Sequence, residues 1–78
     1  MSKRFTIISH DILSGYMELH GLFEDFELAL AICRAMAKRD GSGIEGMMED
    51  IPGGTHHVDQ NKKITWTWNV LEILKLTF

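Results

Sequence analysis

The chain has 78 residues, a net charge of −3 with histidines neutral, and one cysteine, Cys33. That length fits one domain spanning 1–78 and not two, and the single thiol excludes a disulfide within the monomer. The mild acidity runs against the basic footprint of a nucleic-acid binder: the cations fall into short groups, Lys3-Arg4, Arg34 with Lys38-Arg39, and Lys62-Lys63.

A core of this size rarely supplies more than about 3–5 kcal/mol of net stability. With disulfides excluded, a metal, a partner or unusually good packing must make up the rest. No run approaches the roughly 18 apolar residues of a membrane helix. The most apolar stretch, Ile64 to Phe78, is broken by Asn69, Glu72 and Lys75. The first ten residues lack the apolar core of a secretory leader. With the lone thiol, this predicts a reducing, cytoplasmic setting.

Phe5 to Ser9 is short, β-branched and bounded by His10-Asp11, which predicts a first strand. Ser14-Gly15 supplies a turn. Tyr16 to His20 then alternates as a second strand, with Met17 and Leu19 on one face and Tyr16, Glu18 and His20 on the other.

Glu24 to Arg39 is the clearest element. Phe26, Ala29, Leu30, Cys33, Met36 and Ala37 recur at spacings of three and four, an apolar helical stripe. Glu24, Glu27, Arg34 and Lys38 fall opposite it, with acids first and bases last as the helix dipole favours. The spacing predicts Phe26, Leu30, Cys33 and Ala37 as buried, and Glu27, Arg34 and Lys38 as exposed. Glu24 is the expected N-cap, with Phe23 stapled onto Leu28. Gly41 is placed to end the helix.

Gly41 to Gly54 carries five glycines and the only proline, and reads as a long loop with at most one helical turn within Ile44–Ile51. Thr55–Asp59 and Ile64 onward predict a second hairpin turning at Gln60-Asn61-Lys62. Ile64, Trp66, Trp68 and Val70 alternate against Thr65, Thr67 and Asn69. At Glu72 the alternation fails, so a β-bulge near Leu71 or a short helix through Val70, Ile73 and Leu74 is expected.

The motifs carry little chemistry. Gly41-Ser42-Gly43-Ile44-Glu45-Gly46 spells G-x-G-x-x-G, but phosphate binding needs that pattern between a strand and a helix, and here it follows a helix. A glycine-rich nest with Lys38, Arg39, Ser42 and Gly43 could still hold an anion. His56-His57-Val58-Asp59 offers imidazoles and a carboxylate, with His57 and Asp59 on one strand face and His56 on the other. A zinc site needs three or four converging ligands, and His20 reaches this group only if the hairpins pair favourably, so no metal is assigned. Cys33 sits mid-helix on the apolar stripe and reads as core filling. Ser9, His10, Asp11 and Ser14 lack any accompanying oxyanion hole, so no catalytic residue and no cofactor is assigned. Of Trp66 and Trp68, each able to bury about 150–250 Å², at least one is expected to pack under the helix; the alternative is an aromatic interface or ligand platform.

Together these elements predict an α+β fold: an antiparallel sheet of about four strands in ββαββ order, with one helix on one face. One helix cannot cover a twisted four-stranded sheet. Ile8, Leu71, Ile73 and Phe78 belong to the uncovered face, and Leu71, Ile73, Leu76 and Phe78 are the expected interface residues. The functional expectation is a small non-enzymatic interaction protein, inhibitor- or adaptor-like, that pairs as a homodimer and binds another protein. One alternative is a nucleotide or anion binder with its pocket at the dimer seam beside the Gly41–Gly54 loop. The other is a small enzyme without a recognisable motif.

Overall fold

Five strands and one helix make up the described residues, 3–40 and 47–73, of the computed structural model. They are β1 (Arg4–Asp11), β2 (Met17–Phe23), α1 (Phe26–Asp40), β3 (Met47–Ile51), β4 (Gly54–Val58) and β5 (Ile64–Ile73). All pairings are antiparallel, in the spatial order β2-β1-β5-β4-β3. The fold is therefore α+β as expected, but with five strands in ββαβββ order rather than four.

The extra strand is β3, within the stretch expected to be a loop or a helical turn. Ile51-Pro52-Gly53-Gly54 folds it back onto β4. Proline presets the first central turn position, and Gly53, at φ +80°, takes the second, where a side chain would be strained. The β4–β5 turn is held by Asp59, whose carboxylate accepts the backbone N–H groups of Asn61 at 2.8 Å and Lys63 at 2.9 Å. Asp59 thus organises a turn and does not extend the strand.

β5 is the central strand, which is why its sequence is the most strongly patterned. It pairs with β1 from Asp11↔Trp66 to Arg4↔Ile73 without a break in register. The bulge or helix expected near Leu71 is absent there; Val70 and Ile73 are strand residues, and Leu74 lies outside the described residues. The irregularities fall elsewhere, between Phe5 and Ile7 against β2 and between His57 and Val58 against β5. On the other side, β4 approaches very closely at Gly54, where an added Cβ would fall 1.9 Å from the Trp68 carbonyl oxygen.

The helix lies across one face of the sheet. Small residues make the contact: Ala29, Cys33 and Ala37 are fully buried, Cys33 and Ala37 in one cluster with Ile7 and Trp68. Phe26 and Leu30, expected in the core, are only half-buried. A helix seated on alanines and a cysteine comes close to the sheet, and the flanking large side chains spread outward. The N-cap is Asp25, not Glu24: its Oδ2 accepts the Leu28 N–H at 3.2 Å. Leu28 is exposed and Phe23 packs against the core, so no staple joins them. Arg34 is half-buried rather than exposed. Its Nε donates to the Gly54 carbonyl at 3.3 Å and its Nη2 to the Ile51 carbonyl at 3.1 Å, tying α1 to the β3–β4 turn. Asp50 lies 3.6 Å from the same guanidinium.

Candidate interaction face

Strand alternation sorts the side chains onto two faces. Ile7, Trp68 and, partly, Val70 and Trp66 lie beneath α1. Their sequence neighbours lie on the other face, where the described residues place no second layer. Leu19 stands opposite Ile8, which stands opposite Asn69; Met17 stands opposite His10, and His10 opposite Thr67; Thr6 stands opposite Leu71, and Arg4 opposite Ile73. The β2–β1–β5 side of this open face therefore sets apolar Met17, Leu19, Ile8, Leu71 and Ile73 among polar Arg4, Thr6, His10, Thr67 and Asn69. Met17 is 54% exposed, Leu19 65%, Leu71 45% and Ile73 40%.

The β4–β3 side of the same face is mixed, with exposed Met47 and half-buried Ile51 on the same side of β3 as Glu49. His56 pairs with Glu49 at 3.2 Å, Nε2 to Oε2, and next to them stand Thr67 and Asn69 of β5. Exposed apolar side chains set among polar groups have the anatomy of a contact surface.

The interface residues named from sequence divide accordingly. Leu71 and Ile73 stand together on the open face; Leu76 and Phe78 lie outside the described residues. Met17 and Leu19 were legible as one strand face, but which face stayed uncovered was not. That depends on the side taken by the helix, which alternation within β2 cannot report.

The suggested anion group is only partly within view. Lys38 and Arg39 are exposed at the end of α1, and the Arg39 Nε donates to Asp40 Oδ1 at 3.2 Å. Ser42 and Gly43 lie outside the described residues. The histidines are dispersed: β2 and β4 are separated by β1 and β5, so His20 and His57 do not meet. Among the described residues no group of three or more His, Cys, Asp or Glu side chains is placed to hold a metal ion.

Beneath the helix the two tryptophans form the middle of a row of rings. His20 stacks on Trp68 at 5.4 Å, Trp68 on Trp66 at 5.9 Å, and His57 lies 6.1 Å from Trp66. Ser9 Oγ and His20 Nε2 are hydrogen-bonded at 2.8 Å. Trp66 Nε1, Trp68 Nε1 and His57 Nε2 are buried without a hydrogen-bond partner. Burial lowers the His57 pKa below its ordinary value; a backbone hydrogen bond with Ala37 works the other way, and the neighbouring His56 adds to the lowering. Burial likewise pushes the Cys33 thiol up to about 11, with Arg34 opposing weakly. Such a thiol is protonated at neutral pH and a poor nucleophile.

No family model matches the chain, and neither a curated protein nor a solved structure matches it. Among the described residues, no helix is long and apolar enough to cross a membrane.

Proposed function

We propose that this chain is a small non-enzymatic binding protein that pairs as a homodimer through its open sheet face and acts by engaging another protein, as an inhibitor or adaptor does. The carrying observation is the exposed apolar area formed by Met17, Leu19, Leu71 and Ile73 around Ile8. A second layer over this face would complete a core that is otherwise small, since among the described residues three of the six buried hydrophobic ones are alanine or cysteine.

A second copy is the occupant this reading favours. Two-fold pairing places the same patch on both sides, which suits a self-complementary apolar face. Of the acidic groups Glu24-Asp25-Glu27 and Glu45-Glu49-Asp50, Glu24 and Glu27 are exposed and suit a basic partner surface; Asp25 caps α1, Glu49 and Asp50 face His56 and Arg34, and Glu45 lies outside the described residues. A reducing, cytoplasmic setting belongs to the same reading and is supported by the single cysteine, buried in the core.

Sedimentation equilibrium on the wild type and on Leu19→Lys with Leu71→Lys tests the proposal. A dimer at tens of micromolar that becomes a folded monomer in the double variant supports it. A wild-type monomer at that concentration refutes it.

A further inference from the structure

A second feature lies on the covered face and is independent of pairing. His57 is only 5% exposed and sits between β4 and α1, beside Trp66. Its ring is hydrogen-bonded to the backbone of Ala37, one turn before the helix ends. Because Nε2 has no partner, Nδ1 is the bonded nitrogen and carries the proton that the Ala37 carbonyl accepts. Nε2 of the neutral ring is then a buried lone pair facing no donor.

Adding a proton at Nε2 would create a buried cation whose new N–H has no acceptor. A buried charge without a hydrogen-bonded counter-charge is strongly disfavoured. The described surroundings offer no relief. From α1, Cys33 holds its proton, Arg34 is cationic and turned to the β3–β4 turn, and the Asp40 carboxylate, one turn after Ala37, is taken by Arg39. β5 contributes Trp66, which is uncharged. On β3, Met48 stands directly opposite His57. Asp50, two residues along, is held by Arg34. On β4, His56 projects to the other face and takes Glu49.

We propose that His57 is a pH-sensitive latch: neutral, it holds the C-terminal half of α1 on the sheet, and protonated, it lets that half go while the strands stay paired. The strands have their own ladder from β2 through β3. The end of the helix has Ala37, Arg34 and His57 to hold it. Opening exposes the ring to water, where it takes a proton near its ordinary value of 6.5. Closed, it stays neutral to lower pH. The latch is therefore fully engaged above that value, and below it each unit of acidification favours opening by roughly tenfold, until the closed form also titrates.

Hydrogen exchange on the full chain, corrected for intrinsic rates, tests this. Between about pH 6.5 and 5.5 the amides from Cys33 to Arg39 should lose up to about fivefold in protection, while those of β1 and β5 keep theirs. The wild-type His57 ring, followed by NMR, should still be neutral at about pH 6. His57→Phe should remove the pH effect on α1, and His56→Asn should leave it. A wild-type ring half-protonated at or above its ordinary value would overturn the proposal whether or not the Phe variant folds. So would equal losses in wild type and His57→Phe.

Discussion

The two faces of the sheet are built from the same strands and differ in what covers them. On the helix side, Ile7 and Trp68 are sealed by Cys33 and Ala37. On the open side, Ile8 and Asn69, one residue along from each, share their face with exposed Leu19 and Leu71. Removing a side chain should therefore have opposite dependence on concentration. Loss on the covered side weakens the folded chain itself. Loss on the open side weakens only what a second copy adds, and ligand-like stabilisation of that kind grows with concentration.

Trp68→Ala should give the largest effect. Truncating a buried tryptophan costs about 3–5 kcal/mol, comparable to the whole stability of a chain this size. Circular dichroism should show an unfolded chain at every concentration. A cooperative melt near the wild-type temperature would mean that the helix side is not the core.

Arg34→Ala comes next. Two carbonyls of the β3–β4 turn lose a charged donor, a change worth about 1–2 kcal/mol once partial solvent screening of the guanidinium is allowed for. Thermal denaturation should show it, and Arg34→Lys should not restore the paired contact. Asp25→Ala removes the helix cap and should cost about 1 kcal/mol, also read by melting. Glu24→Ala should not, which separates the two candidate caps.

Leu71→Ala should be smallest in dilute solution, within about 0.5 kcal/mol of wild type. Its signature lies in concentration: the wild-type melting temperature should rise with protein concentration and that of the variant should rise less. A wild-type melting temperature independent of concentration breaks the contrast between the faces. Cys33 sharpens it from the other direction. Sealed under α1, its thiol should resist maleimide at neutral pH until the chain is unfolded in denaturant.

Much of this contrast was written locally. The stripe from Phe26 to Ala37 and the alternation from Ile64 to Val70 each reflect an element with one buried side, and periodicity reports that directly. The β3 strand was not legible in the same way. As an edge strand with Met47, Met48, Glu49 and Asp50 all exposed, it has no buried side to impose a pattern. The readable signal was the Pro52-Gly53 turn, which here joins β3 to β4.

Chain-local physics thus determined which residues share a face and where the helix runs. It did not determine which face of β2 stays uncovered, that Arg34 would reach the β3–β4 turn, or that His57 would be enclosed beside Ala37. Those are relations between elements far apart in the chain. They arise from strand order: with β5 placed between β1 and β4, its tryptophans become the floor on which α1 rests, and β2 is left at the edge with Met17 and Leu19 facing outward.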